Sequence, residues 1–125
     1  MALRSTELMI GDWVYNTHNR QNERVAEIGS GLVMLDYNDL YEYDEIEPIP
    51  ITPEILEANG WVYFHPQGIK GTMMLAIGGH AVLCWDSETK ELILTGGSIL
   101  KVCYIHELQH VLRLCGIEKE IIVKQ

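Results

Sequence analysis

The sequence predicts an α+β fold: a small β-barrel-like lobe at the N-terminus, then a short helix, an antiparallel sheet and a C-terminal helix. Three observations carry that prediction. Short apolar or alternating runs recur between glycine-rich and polar turns along most of the chain. Helix patterning is confined to two segments, one opening at Thr52 and one from about Tyr104 to Cys115. Pro48-Ile49-Pro50 forces an extended backbone between the two strand-rich parts. With 125 residues, 47% of them apolar and 22% charged, the chain is an ordinary globular one with room for a single domain or two small lobes. The boundary is expected near residue 47, with a lobe over 1–47 and the remaining elements over 48–125.

In order, Gly11-Asp12-Trp13-Val14-Tyr15 reads as a strand entered through a glycine turn. Gly29-Ser30-Gly31 is a three-residue hairpin loop between Arg24–Ile28 and Leu32–Tyr37. Tyr41 and Tyr43 alternate with Glu42 and Asp44, as in an edge strand whose charges discourage further pairing. Thr52 is the cap of a two-turn helix, Pro53 its first residue and Gly60 its left-handed stop. Strands follow at Trp61–Phe64, Thr72–Ile77, Ala81–Trp85 and Leu92–Thr95, with a further one at Ser98–Val102. Gly116 stops the last helix, and the residues after it read as a short terminal strand.

The net charge of −9 is unevenly spread. Residues 1–60 hold twelve acids and three bases, whereas 61–125 hold six of each. From Asp36 to Glu57 there are eight acids and no base. Such a surface repels phosphate backbones, so direct nucleic-acid binding is not expected, and a basic protein is the partner its charge favours. Asp36, Tyr37, Asp39, Tyr41, Glu42, Tyr43 and Asp44 form the candidate interaction surface, since tyrosine offers large contact area at small entropic cost and acids steer basic partners. No apolar run approaches the roughly 20 residues of a membrane span, the first residues lack a signal-type stretch, and three cysteines suit no disulfide framework. A cytoplasmic chain is the expectation.

One motif carries chemistry. His106-Glu107-Leu108-Gln109-His110 matches H-E-x-x-H, in which two histidines one helical turn apart hold zinc and the glutamate serves as general base. The third ligand is missing: Arg113 stands where the extended pattern requires glycine, and nothing in the spacing of His65, His80 or Asp86 brings them to the site. A helical wheel turns His106 and His110 away from the stripe of Ile105, Leu108, Val111, Leu112 and Cys115. Two surface histidines and no cofactor are therefore expected, so that His110→Asn should change stability by less than about 0.5 kcal/mol. The alternative is a minimal zinc-dependent hydrolase with His106 and His110 as ligands and Glu107 as base.

Three blocks occur together: Glu7-Leu8-Met9-Ile10-Gly11-Asp12-Trp13-Val14; Glu47-Pro48-Ile49-Pro50-Ile51-Thr52 running to Gly60-Trp61; and Tyr104-Ile105-His106-Glu107-Leu108-Gln109-His110. In that order the chain resembles a family of small uncharacterised proteins of Bacteroides-type bacteria and their phages and mobile elements. The shared pattern is E-P-I-P-[LI]-T followed by Y-[VI]-H-x-L-Q. The resemblance implies that Glu107 and His110 depart from the family pattern while His106 and Gln109 keep it. It also implies an accessory protein that acts by binding host or phage components, with no established activity.

Overall fold

The computed structural model describes residues 3–36, 39–63, 72–77, 80–94, 97 and 99–123. Its described elements are ten strands, β1 (Trp13–Asn16), β2 (Gln21–Ile28), β3 (Leu32–Leu35), β4 (Asp39–Glu42), β5 (Ile46–Glu47), β6 (Val62–Tyr63), β7 (Thr72–Ile77), β8 (His80–Asp86), β9 (Glu91–Leu94) and β10 (Ile99–Lys101). Two helices accompany them, α1 (Pro53–Ala58) and α2 (Ile105–Leu114), with 3-10 turns at Ser5–Glu7 and Tyr43–Glu45. The α+β class is as the sequence predicts. No helix among the described residues is long and apolar enough to cross a membrane.

The chain divides into two compact units, and not at residue 47: the first comprises Met1–Pro50 with Tyr104–Gln125, the second Ile51–Cys103. This corrects the expected 1–47 and 48–125 division, because α2 belongs with the N-terminal strands rather than with the second sheet. Pro50 and Tyr104 form an antiparallel bridge, and Ile105 N–H donates to the Ile49 carbonyl at 2.8 Å. The chain thus leaves and re-enters the first unit at one place.

In the first unit the strand order is β4-β3-β2-β1-β5, antiparallel throughout. β5 follows β4 after a single 3-10 turn, yet pairs with β1 at the other end of the sheet. Three 3-10 residues advance only about 6 Å, whereas the outer strands of a flat five-stranded sheet lie about 19 Å apart. The sheet must therefore curl until its edges approach, giving the barrel-like lobe that the sequence predicts. A register shift between Val25 and Glu27 adds a bulge that tightens the curl. Val14, Val25, Val33, Leu35, Tyr41 and Ile46 fill the interior, with Leu3 and Leu8 on either side of the first 3-10 turn packed against them.

The second unit is a five-stranded antiparallel sheet, order β10-β9-β8-β7-β6, preceded by α1. Thr52 Oγ1 accepts from Ile55 N–H at 3.2 Å, as the cap signal predicts, and Gly60 takes φ +89° where the helix ends. Alternation sorts the strands into two faces. Met73, Trp85 and Leu92 align in one row and are buried, and Trp85 Nε1–H donates to the Val102 carbonyl at 2.9 Å. Cys84 and Cys103 are half-buried. The short strand expected after Gly116 does not form; residues 117–123 run without regular structure, anchored by buried Ile121 and Val123.

Candidate functional site

Two places in the first unit concentrate chemistry. The first grows from the turn that feeds β1. Gly11, at φ +93°, lets Asp12 N–H reach back to the Met9 carbonyl at 3.1 Å, while Met9 N–H donates to Asp12 Oδ2 at 2.7 Å. This turn aims the fully buried Asp12 carboxylate at α2. There it meets His110 Nε2 at 2.6 Å and Arg113 Nη1 at 3.1 Å. Gln109, also buried, accepts from Trp13 N–H at 2.9 Å and donates to the Gly11 carbonyl at 3.0 Å. Trp13 Nε1–H in turn donates to the Ile121 carbonyl at 2.7 Å, tying the C-terminal segment to β1. Beside this network lies a cavity of about 260 Å³ whose walls include Gln109, Arg113, Arg24 and Glu120. Both arginines are engaged, Arg113 with Asp12 and Arg24 with Glu120 at 3.4 Å.

The H-E-x-x-H residues are placed differently from the wheel's expectation. His106 is 4% exposed and faces inward rather than into solvent. Its ring stacks on Tyr104 and meets the His110 ring edge-on at 5.7 Å, and its Nδ1 has no hydrogen-bond partner among the described residues. Burial pushes this imidazole below its usual pKa, His110 acts in the same sense, and the Asp12, Glu107 and Glu7 carboxylates oppose them. His110 is half-buried and takes its Nε2 to Asp12. Glu107 Oε1 accepts from Tyr104 N–H at 3.0 Å, the third-residue acid of a capping box. The motif's glutamate is thus held by its own helix end and one histidine by a buried acid. His65 lies outside the described residues, and Asp86 sits in β8 with its Oδ1 accepting from Glu88 N–H.

Asp12, Gln109 and Arg113 escape the sequence reading, although a signal for them exists. His106, Gln109, His110 and Arg113 stand at i, i+3, i+4 and i+7, a continuous polar stripe along one helix face. Reading only the apolar stripe misses it.

The second place is the outer surface of β2, β3 and β4. Of the candidate interaction residues, Asp39, Glu42 and Asp44 are exposed, whereas Tyr41 is 9% exposed and belongs to the barrel interior, which corrects its expected contact role. Strand alternation decides this: Tyr41 pairs with buried Val33, and Leu40 beside it turns outward. Tyr43 is half-buried, its hydroxyl donating to the Gly29 carbonyl at 2.5 Å. Asp36 Oδ1 accepts from Arg24 N–H at 3.0 Å, and Tyr37 lies outside the described residues. Among the described residues the acids, histidines and cysteines that bring three ligand atoms within 4.8 Å of one another are Glu42, Asp44 and Glu45. Neither His106 nor His110 belongs to that set.

Comparison with protein-family models, with curated proteins and with solved structures finds no match to this chain.

Proposed function

We propose that this chain is a non-enzymatic accessory protein, of phage or mobile-element origin, that works by binding a basic protein partner through the acidic edge of its first unit. One observation carries the reading. Asp39, Glu42, Asp44 and Glu47 are exposed along consecutive residues of β4, the 3-10 turn and β5, with no lysine or arginine between residues 36 and 57. Like charges gathered without a counter-charge repel one another, and a basic surface relieves that repulsion while being steered toward it. The engagement of Glu107 in a helix cap and of His110 with Asp12 supports a structural use of the H-E-x-x-H residues. The resemblance of the E-P-I-P-I-T and Y-I-H-E-L-Q blocks supports the accessory role.

The test is affinity capture from a bacterial host lysate, run in parallel with the triple charge reversal Asp39→Lys, Glu42→Lys and Asp44→Lys. Salt-sensitive capture of a basic protein that the reversed chain no longer retains is the expected result. Capture that is identical for both chains removes the acidic surface from the reading.

A further inference from the structure

We propose that β4 accepts an extended segment of the basic partner as an added strand, with an aliphatic side chain of that segment seated against Leu32, Met34 and Leu40. The proposal rests on the acidic-surface reading and specifies the occupant and its pose.

The outer surface of the lobe holds a cavity of about 200 Å³ lined by Glu27, Ile28, Gly29, Leu32, Met34 and Leu40. Small-molecule sites run to roughly 300–1,000 Å³, so this space suits a side chain better than a cofactor. The register explains its composition: Glu27, Met34 and Leu40 lie in one row across three strands, and Leu32 pairs with Glu42 in the next. Leu32 is 43% and Leu40 57% exposed, apolar surface that the barrel interior does not use. Acids stand at both ends of an apolar floor.

β4 is also an edge, pairing with β3 alone among the described residues. Glu42 N–H donates to Glu45 Oε1 at 3.0 Å, so it turns away from β3. In an antiparallel ladder alternate residues turn the same way, which points the Leu40 N–H and C=O outward. A segment laid along β4 exchanges both bonds with Leu40 and places every second side chain on the groove face. The residue opposite Leu40 then packs on Leu40 and Met34, and the residue two positions away meets Glu42. Charge selects the occupant: a second copy brings the same acids to the same edge, whereas a segment with lysine or arginine two positions from an aliphatic residue neutralises them. The platform is braced beforehand, since the Tyr43 hydroxyl ties the 3-10 turn to Gly29 at the groove's end.

The test uses the full chain and a blocked Lys-Val-Leu-Val-Lys peptide, compared with the same peptide N-methylated at its leucine and with a Glu-Val-Leu-Val-Glu peptide. Affinity is read by titration, and the Leu40 amide by hydrogen exchange. The basic peptide is expected to bind and to protect the Leu40 amide. N-methylation should weaken binding about tenfold, the loss of one well-placed main-chain bond, and Leu40→Ala and Glu42→Gln should each weaken it about fivefold. Both substitutions are at exposed positions, and circular dichroism checks that each variant is folded. Equal affinity for the parent and N-methylated peptides, with charge dependence intact, overturns strand addition and leaves the acidic-surface reading standing. Indifference of basic ligands to the triple charge reversal overturns that reading itself. No saturable binding up to about 1 mM, or a dimer of the chain alone that Leu40→Ala dissociates, overturns the proposed occupant.

Discussion

Asp12 is the residue on which the first unit turns. Its carboxylate has none of its surface in water and is held by a backbone amide, an imidazole and a guanidinium. Removing Asp12 takes the shared acceptor from the Met9 amide, His110 and Arg113, and the last two reach solvent, so Asp12→Ala should cost about 1–3 kcal/mol in urea unfolding. His110→Asn should cost about 1–3 kcal/mol, because it leaves Asp12 Oδ2 short of a partner, and not the small change an exposed histidine would give. If both substitutions leave the urea midpoint unmoved, the network contributes nothing. His106 makes stability depend on pH. Burial lowers its pKa in the folded chain, so the unfolded chain binds the proton first. The contribution is fully present above about pH 6.5 and is lost as pH falls below it, at no more than about 1.4 kcal/mol per pH unit for one proton. Urea midpoints across that range should fall less steeply in His106→Leu than in the parent. Protein purified without a histidine tag should contain less than one zinc per chain, since Glu107 and His110 already have protein partners.

At the scale of elements, α2 shows why a ten-residue helix persists. Alone it would be marginal, and burial of Ile105, Leu108 and Leu112, together with its capped first turn and one polar stripe, holds it. Glu107 closes the first turn, so Glu107→Ala should cost about 1 kcal/mol, with Glu107→Gln recovering most of it because an amide oxygen accepts the same bond. A calorimetric scan of the two variants separates this capping role from a general-base role, which glutamine would not restore. Gly11→Ala tests the opposing turn: at φ +93° an alanine is strained, and its Cβ would lie 3.2 Å from Arg113 Nη2. The strands were legible because short apolar or alternating runs, such as Leu32-Val33-Met34-Leu35, stand between turn residues. The inward turn of His106 was not, because a wheel counts apolar side chains and is blind to partners 98 positions away, such as Asp12 for His110.

For the whole molecule, the second unit interrupts the first. The Pro50–Tyr104 bridge and the bond from Ile105 N–H to Ile49 close the gap where it enters and leaves. Replacing residues 52–102 with a short glycine-containing turn should therefore leave residues 1–51 and 103–125 folded. The check is retention of a cooperative unfolding transition and of Trp13 near-ultraviolet dichroism. Because Asp12, Gln109 and Trp13 supply contacts to α2 and the final residues within the first unit, the excised form should still lose stability on Asp12→Ala. A molten excised form would show that the barrel needs the inserted unit to fold.

The sequence by itself determined what local chemistry dictates. Alternation set the strands, Thr52, Pro53 and Gly60 bounded α1, Gly116 stopped α2, and eight acids without a base marked one acidic segment. Only the tertiary structure decided three things. It curled the first sheet until β5 met β1, it returned α2 to the N-terminal unit, and it sent Tyr41 and His106 inward. The physical reason is the same in each case. Turns and caps are settled by bonds between near neighbours, whereas sheet closure, the return of a helix and the inward turn of a side chain depend on packing and bonding with residues distant in sequence. For α2 the distant partner is the Asp12 carboxylate, for Tyr41 it is the barrel interior, and neither can be read from the residues alongside.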